Sequence, residues 1–203
     1  MFYTPDNRDF ELLPHDPFKA IVAPRPIGWI SSLSEDGVPN LAPYSFFNAI
    51  GSNPPLLMFS SEGHKDSSLN SLAAGEFVFN YVGEEVEADM NASSIPAPAG
   101  VSEFDHCGIE QAPSNLVAPP RVAKAAASLE CKVTQLIEPT DIGGRKTGVV
   151  LVLGQVVGVH INENYIRNGR FDVNLAKPVS RLGYLDFGHT REIHELLRPK
   201  WNG

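Results

Sequence analysis

Hydroxyl, amide and cationic side chains gather at both ends of one short apolar run, residues 56–59. They precede the run at 44–53 and follow it at 60–68. Because two prolines open the run and it is only four residues long, it is predicted to be a buried strand and not a helix. Residues 42–68, called the cradle segment below, therefore form a candidate cradle for a polar cofactor.

The downstream half of the cradle segment has the features of a phosphate seat. A helix is predicted at 67–74, where Gly75 would end it. A helix N-terminus carries unpaired N–H groups and the positive end of the helix dipole, so it favours an anion. Lys65 and the serines around it lie where that anion would bind. Asp66 cannot bind phosphate as a carboxylate and is expected to cap the helix or to hold Lys65 or a hydroxyl in place.

Length and charge limit the classes of protein that fit. The chain has 203 residues, 42% of them hydrophobic, which favours one domain with one core, residues 1–203. Its net charge of −8 argues against nucleic acid or an anionic membrane as the main partner, because both require a basic surface.

The cysteines and the N-terminus indicate a cytoplasmic protein. Residues 1–16 are polar and acidic and contain no hydrophobic signal segment, so Cys107 and Cys131 are expected to stay reduced. The longest apolar stretch, 148–161, is interrupted by Gly154 and Gly158 and is too short to span a bilayer.

Strand patterns dominate the chain. Residues 27–33 and 38–42 flank Asp36-Gly37, a turn typical of a tight antiparallel hairpin. Residues 129–137 alternate, which predicts a half-exposed strand with Glu130 on its polar side. With further strands at 56–59, 77–82 and 149–161, where the two glycines permit bulges, the pattern favours a mostly β antiparallel barrel with peripheral helices.

Helices are predicted to be short, and one long segment has no period. The helical candidates besides 67–74 are 16–21, 84–92 and 190–197. Residues 93–121, called the arm below, are rich in proline and show neither helical nor strand periodicity. Such a long excursion is expected to be a functional arm or lid, or a cover for a neighbouring subunit.

Several chemistries lack their motifs. The chain has no GxGxxG after a strand, no phosphate-binding P-loop and no GxSxG turn. Its six histidines lack the spacing of a zinc site, so no metal is expected. His106-Cys107 invites a nucleophile hypothesis, but a lone cysteine among apolar residues is more often packing.

Four short motifs, in order and at close spacing, carry a resemblance. They are RPIGW at 25–29, APYSFFN at 42–48, NPP at 53–55 and KDS at 65–67, and the similarity continues from 24 to RLGY at 181–184. The chain resembles the flavin reductase-like, FMN-binding split-barrel family. The resemblance implies a six-stranded antiparallel split β-barrel of Greek-key type that forms a homodimer with FMN at the subunit interface. It also implies NAD(P)H-dependent reduction of flavin, often to supply a monooxygenase.

The resemblance and the cradle segment together assign the cofactor-binding residues. Strand one would end at two serines, residues 43–48 would face the flavin ring, and the serine-rich turn would hold the phosphate. The predicted set is Ser31, Ser32, Pro43, Tyr44, Ser45, Phe46, Phe47, Asn48, Ser61, Lys65, Asp66, Ser67 and Ser68. FMN is expected to bind better than FAD, because few aromatic or basic groups nearby could hold an adenosine.

No catalytic residue is assigned, because in hydride transfer to flavin the cofactors carry the chemistry. His160, Arg181 and His189 are the candidates for the nicotinamide side by resemblance. Leu185-Asp186 follows RLGY where relatives often have another glycine. An NAD(P)H:flavin oxidoreductase is therefore the first hypothesis. A non-catalytic flavin-carrying protein, or a reductase of ferric or other acceptors on the same fold, is the alternative.

Overall fold

A curled antiparallel sheet is the centre of the molecule in the computed structural model, which describes residues 1–201. The strands, in chain order, are β1 Arg25–Pro26, β2 Gly28–Leu33, β3 Pro39–Tyr44, β4 Phe47–Ser52, β5 Pro55–Glu62, β6 Glu76–Asn80, β7 Gln111–Ala112, β8 Arg121–Val122, β9 Ala127–Ile137, β10 Val149–Ile161, β11 Ile166–Arg167, β12 Arg170–Phe171, β13 Val179–Arg181 and β14 Phe187–His189. Seven of them form the main sheet in the order β3-β2-β6-β9-β10-β5-β4. The predicted mostly β split-barrel class is confirmed.

Two local features of the sheet agree with the sequence. The predicted hairpin joins β2 to β3, and Gly37 in its turn has φ of 78°. The pairing of β9 with β10 shifts register before Gly154 and before Gly158, which are the two glycines predicted to permit bulges. A Cβ atom at Gly154 would lie 2.4 Å from the Phe77 ring, so the aromatic core occupies the space that the glycine leaves.

The sheet has one strand more than the predicted six. Residues 47–52, predicted as part of a polar segment, form the edge strand β4, which pairs with β5 in a register that places Asn48 opposite Met58. Apart from Phe47, the side chains of β4 are exposed. An edge strand that is exposed on both faces carries no apolar alternation, so its sequence looks like a loop.

Two apolar clusters form the core. One surrounds Trp29, Leu41 and Phe104, and the other surrounds Phe59 and Phe77, whose rings meet edge to face with centroids 5.3 Å apart. β2 contributes Trp29 to the first cluster and its neighbour Ile30 to the second. Successive side chains of a strand point to opposite faces, so this part of the sheet is covered on both sides.

The helices match the sequence unevenly. They are α1 Phe18–Ile21, α2 Asp66–Ala74, α3 Glu87–Ala92, α4 Glu103–Cys107 and α5 Val173–Ala176. The predicted helix at 67–74 is α2, and it ends at Gly75 with φ of 69°. The predicted helix at 84–92 begins with a 3-10 turn, Glu84–Val86, and continues as α3. None of the helices described in residues 1–201 is long and apolar enough to cross a membrane.

The predicted helix at 190–197 is wrong, because residues 190–201 contain no regular secondary structure. Leu196 and Leu197 are 85% and 93% exposed, so the apolar side chains of this segment have no surface to pack against in the single chain. A short helix without tertiary packing is marginal in water, which explains the difference.

The arm lies outside the main sheet and is anchored to it by a buried carboxylate. Glu130 on β9 accepts hydrogen bonds from the backbone N–H groups of Asn115, Leu116 and Val117 at 2.7, 2.6 and 3.1 Å, and it contacts His160 Nε2. The prediction that Glu130 lies on an exposed face is wrong, since its exposure is 0%. The arm covers that face and replaces water as the partner of the carboxylate.

Candidate functional site

A cavity of about 490 Å³ lies between the cradle segment and the start of the arm. The β3–β4 connection, the end of β5 and the first residues of α2 form one wall, called the cradle wall below, and residues 93–103 form another, called the arm wall. Its volume falls within the roughly 300–1,000 Å³ that is usual for ligand sites. The cavity therefore has room for a cofactor that is held between a regular wall and an irregular one.

The N-terminus of α2 opens on this cavity through Lys65, Asp66 and Ser67. The first intrahelical bonds run from Ser68 N and Leu69 N to Lys65 O, so the N–H groups of Asp66 and Ser67 precede the hydrogen-bonded ladder. Capping is done by Ser68, whose hydroxyl accepts from Lys65 N at 3.0 Å and donates to Lys65 O at 2.8 Å. The capping role expected for Asp66 thus belongs to Ser68.

A buried hydrogen-bond network fixes the Ser67 hydroxyl at the helix start. The Asn40 side-chain amide donates to Ser67 Oγ at 2.8 Å and to Ser32 Oγ at 3.3 Å. Burial raises the pKa of Tyr44, although hydrogen bonds with the hydroxyls of Ser67 and Ser61 partly oppose that effect. Tyr44 is therefore a neutral phenol at physiological pH, and it presents an aromatic and hydrogen-bonding surface to the cavity.

An aromatic ring with two nearby cations borders the cavity beside Tyr44. The Lys19 ammonium lies 5.5 Å from the centroid of the Phe46 ring, and the Arg25 guanidinium lies 5.9 Å from it. Lys19 also pairs with Glu62 at 3.8 Å. Since both ions of that pair are more than half exposed, the pair contributes little stability and leaves Lys19 available to a ligand.

Contacts to the core position the arm wall. Ser93 Oγ accepts a bond from Trp29 Nε1 at 2.9 Å, and Glu103, which is buried, accepts one from Leu41 N at 2.9 Å. Both partners, Trp29 and Leu41, belong to the same apolar cluster. The arm wall is thus fixed by polar bonds to the core at its two ends, although it contains no strand of the main sheet.

The structure brings together part of the predicted residue set. Seven of the predicted residues line the cavity, namely Pro43, Tyr44, Ser45, Phe46, Lys65, Asp66 and Ser67. The other serines are buried in internal contacts: Ser31 donates to Pro120 O, Ser32 accepts from Asn40, and Ser61 donates to Gly63 O. Phe47 stacks on Phe79 in the core, whereas Asn48 is exposed on β4.

Three further lining residues belong to the predicted cradle segment although they were not in the predicted set, namely Ala42, Ser60 and Glu62. Sequence reasoning missed the lining residues outside that segment, which are Lys19, Asn40, Ser93, Ser94, Ile95, Pro96, Ala97, Ala99 and Glu103. Asn40 had a usable signal, because it is a polar residue on a predicted strand two positions before the APYSFFN motif. The arm residues had none beyond the absence of periodicity.

The three nicotinamide-side candidates lie in different places. His160 contacts the buried Glu130, and His189 lies between Glu84 and Glu87, with its Nε2 atom 2.8 Å from Glu87 Oε2. Neither histidine lines the cavity. Arg181 lines a second cavity of about 200 Å³, which shares Pro43, Ser45 and Ser94 with the first. Of the three, only Arg181 is next to the candidate cofactor site.

Neither cysteine has the environment of an activated thiolate. Burial raises the pKa of Cys107, and nearby Glu103 and Asp89 raise it further. Cys131 is buried within the sheet, and its thiol pKa is raised strongly by burial. A thiol whose pKa is raised is a poor nucleophile, so both cysteines fit the packing interpretation.

Comparison with known proteins gives the family. The model of the flavin reductase like domain matches residues 22–179. An uncharacterised protein of Halalkalibacterium halodurans is 36% identical over 183 residues, which cover 88% of this chain and 87% of that protein. Nitrilotriacetate monooxygenase component B from Bacillus cereus is 28% identical, with a TM-score of 0.88 over 97% of this chain and 98% of the other.

The fold is shared more widely than the sequence. The split-barrel protein of Shewanella frigidimarina is 18% identical, but it superposes with a TM-score of 0.84 over 98% of this chain and all of the other. The matched residues 22–179 include the main sheet, α2 and the whole arm. The chain therefore belongs to the flavin reductase-like family of split-barrel proteins.

Proposed function

We propose that the chain is an NAD(P)H-dependent flavin oxidoreductase that binds FMN in the 490 Å³ cavity. The observation that carries the proposal is the N-terminus of α2, where Lys65, Ser67 and two backbone N–H groups border a cavity that is also lined by the aromatic rings of Tyr44 and Phe46. That donor set suits a dianionic phosphate joined to a large planar ring.

Each part of the cofactor has partners of the right chemistry. Lys65, Ser67 and the N–H groups of α2 would hold the phosphate, while Ser60 and Asn40 would meet ribityl hydroxyls. Residues 43–46 would contact the ring, and residues 44–46 would donate backbone N–H groups to its polar edge. Asp66 borders the same seat, and its negative charge opposes phosphate binding, so the affinity must come from its neighbours.

Bound FMN would supply the chemistry, by accepting a hydride from the nicotinamide and passing electrons to an acceptor. The protein then has to hold the ring, exclude water and leave one face open. The arm wall lines the same cavity as the cradle segment, and it would exclude water from its side. Proton transfer by a side chain is not required for the hydride step, so no acid–base pair is assigned.

An anaerobic stopped-flow experiment tests the proposal. The FMN-loaded protein is mixed with NADH or NADPH, and absorbance of the oxidised flavin is followed. We expect bleaching that saturates with nicotinamide concentration. Bound flavin that keeps its colour with both nucleotides would instead favour the alternative, a non-catalytic flavin-carrying protein.

The natural acceptor is proposed from the relatives. Nitrilotriacetate monooxygenase component B is, by its name, part of a monooxygenase, and it superposes on almost the whole chain. We therefore place this chain upstream of an oxygenase that consumes reduced flavin. Reduction of ferric ions or of other acceptors is the second candidate, and steady-state turnover with free FMN, FAD and ferric citrate as acceptors compares them. A cytoplasmic location stays a prediction.

The dimer with a shared flavin site also stays a proposal, which the exposed apolar side chains support. Leu197 and Trp201 near the C-terminus, and Phe2 near the N-terminus, are each more than 90% exposed in the single chain. A partner subunit would cover these side chains if they form one contiguous patch. Sedimentation at the flavin absorbance, over a wide range of protein concentration, should show FMN release together with dissociation. A monomer that retains all its FMN would contradict the shared site.

A further inference from the structure

Two arginines face each other across a short strand pair beside the flavin cavity. Arg25 on β1 is directly opposite Arg181 on β13. Within residues 1–201, no carboxylate oxygen lies within 4 Å of either guanidinium group. Like charges opposite one another on antiparallel strands destabilise the pair. The structure thus retains two adjacent positive charges without neutralising them internally.

The two arginines differ in what they can offer to a ligand. Arg25 is buried and donates to the carbonyls of Val22 and Leu182 at 2.6 and 2.9 Å. Burial, and then the charge of Arg181, lower the pKa of Arg25. Arg181 is half-buried, gives one bond to Tyr184 O at 2.6 Å, and lies over the Phe187 ring at 4.3 Å. Arg181 is therefore the group with donors left for an anion.

Arg181 is the charged residue of the second cavity, whose other lining residues are neutral. Ile27, Met90 and Phe187 make an apolar surface, and the Asn91 amide adds a polar group. The volume of about 200 Å³ is below the roughly 300 Å³ at which sites for drug-sized ligands begin, so the cavity suits a single ring.

We propose that this cavity binds a monocyclic aromatic carboxylate, with the carboxylate on the Arg181 guanidinium and the ring on the apolar surface. The planar guanidinium fork matches a carboxylate in a bidentate pair, and stacking on Phe187 fixes the plane of the fork. A phosphate dianion is matched less well, because Arg181 is the one cationic side chain among the residues that line the cavity and would balance only one of its two charges. The cavity shares three residues with the flavin cavity, so the ring would lie next to the flavin if the proposed function holds.

Calorimetric titration of benzoate into the full chain tests the proposal, with and without FMN. We expect saturable binding of benzoate. Because benzamide lacks the charge that strengthens the bonds to a guanidinium, it should bind about tenfold more weakly. Inorganic phosphate should not compete with benzoate. Equal affinities for benzoate and benzamide, or displacement of benzoate by phosphate alone, would overturn the assignment.

Variants of the cavity sharpen the test. Arg181→Gln should weaken benzoate about tenfold or more, Arg181→Lys should lose part of the affinity, and Arg167→Gln, at an exposed arginine outside this cavity, should change nothing. If Arg181→Gln melts too early to titrate, Asn91→Asp gives a second test. The new carboxylate should repel benzoate, and it should raise the melting temperature because it balances the charge of Arg181. Unchanged benzoate affinity in Asn91→Asp would contradict the proposal.

The outcomes separate this inference from the proposed function. Benzoate binding that depends on Arg181 in a protein that takes no FMN would support the carboxylate cavity and refute the flavin site. FMN binding and bleaching without any benzoate binding would refute the cavity and leave the flavin reductase. Benzoate added to the FMN-loaded protein should also shift the visible spectrum of the flavin, as a charged ring beside the cofactor would do.

Discussion

The two walls of the flavin cavity are built in opposite ways. The cradle wall comes mainly from three neighbouring regular elements, β3, β5 and α2. Its polar contacts lie within or between these elements, such as Lys65 with Ser68 and Asn40 with Ser67. The arm wall has little regular structure, and the arm depends on Glu130, a buried carboxylate from β9. A single side chain can therefore alter binding at the cradle wall without moving it, whereas the conformation of the arm depends on partners that are distant in sequence.

The largest effect on unfolding free energy is expected from removing Glu130, which anchors the arm. Glu130→Ala removes the acceptor of three backbone N–H groups and leaves His160 without its partner. Breaking a buried charged network of this kind costs about 3–5 kcal/mol of unfolding free energy. Urea denaturation measures that loss. FMN affinity should change less, because the arm residues that line the cavity, 93–103, are held by their own bonds to Trp29 and Leu41.

Glu76→Ala is the matched control for the anchor. Glu76 accepts from Ala118 N of the same arm at 2.8 Å, but this contact is exposed to solvent. Its removal should cost about 1 kcal/mol or less. Equal losses for the two variants would mean that burial of the carboxylate is not what holds the arm.

The next effect is at the cradle wall and concerns the ligand and not the fold. Lys65→Ala combined with Ser67→Ala should weaken FMN tenfold or more, since each charge-assisted bond to phosphate contributes about 1.5–3 kcal/mol. Riboflavin, which lacks the phosphate, should lose little. Fluorescence titration of the apo-protein with both flavins measures the difference, and Lys132→Ala, at an exposed lysine on β9, is the control. A similar loss for both flavins would remove the phosphate from this seat.

Acid should loosen the arm before it affects the cradle wall. Burial alone would raise the pKa of Glu130, but the bonds from His160, Asn115 and Leu116 outweigh it and hold that pKa below its usual value. A carboxyl with a lowered pKa stabilises the fold fully above the pKa of the unfolded chain, about 4.3, and this stabilisation is lost as pH falls through the folded value. The protection of the Asn115 and Leu116 amides against hydrogen exchange, measured relative to the intrinsic rate at each pH, should fall below about pH 4 in the natural protein. In Glu130→Gln, this protection should already be lower at neutral pH and should change less with acid.

The smallest effect is expected at the carboxylate of the phosphate seat. Asp66→Asn removes a negative charge from the first turn of α2, where it stabilises the helix by about 0.3–1 kcal/mol. FMN should bind slightly more tightly and the free protein should melt slightly earlier. Weaker FMN binding in a well-folded Asp66→Asn protein would instead show that Asp66 holds Lys65 or a hydroxyl in place, as the sequence suggested.

The contrast between the cradle wall and the arm also explains how much of the structure could be predicted from the sequence. α2 and the β2–β3 hairpin were found because helix starts, glycine ends and tight turns are local signals. Lys65 and Ser67 were then predicted as phosphate ligands because they lie at the start of that helix. Glu130 was misplaced because alternation describes one strand, and cannot show that an aperiodic segment covers its polar face.

The remaining differences have physical causes of the same kind. Ser31 is a plausible ligand by position, but its hydroxyl is used by Pro120 O of the arm. The predicted helix at 190–197 lacked the tertiary surface that short helices require, and no local pattern reports whether such a surface exists. Local geometry was thus predictable, whereas contacts made by the arm and by the C-terminal segment were not.

The bulge at Gly158 links the curvature of the sheet to the ordering of the arm. Gly158 is paired with Glu130 across β9 and β10, and a Cβ atom there would lie 3.2–3.4 Å from the Glu130 side chain. A substitution at 158 would therefore displace the carboxylate although it touches neither the arm nor the cavity. In evolutionary terms, positions 130 and 158 should vary together or not at all. An insertion in the arm should be tolerated only where it leaves residues 115–117 in contact with Glu130.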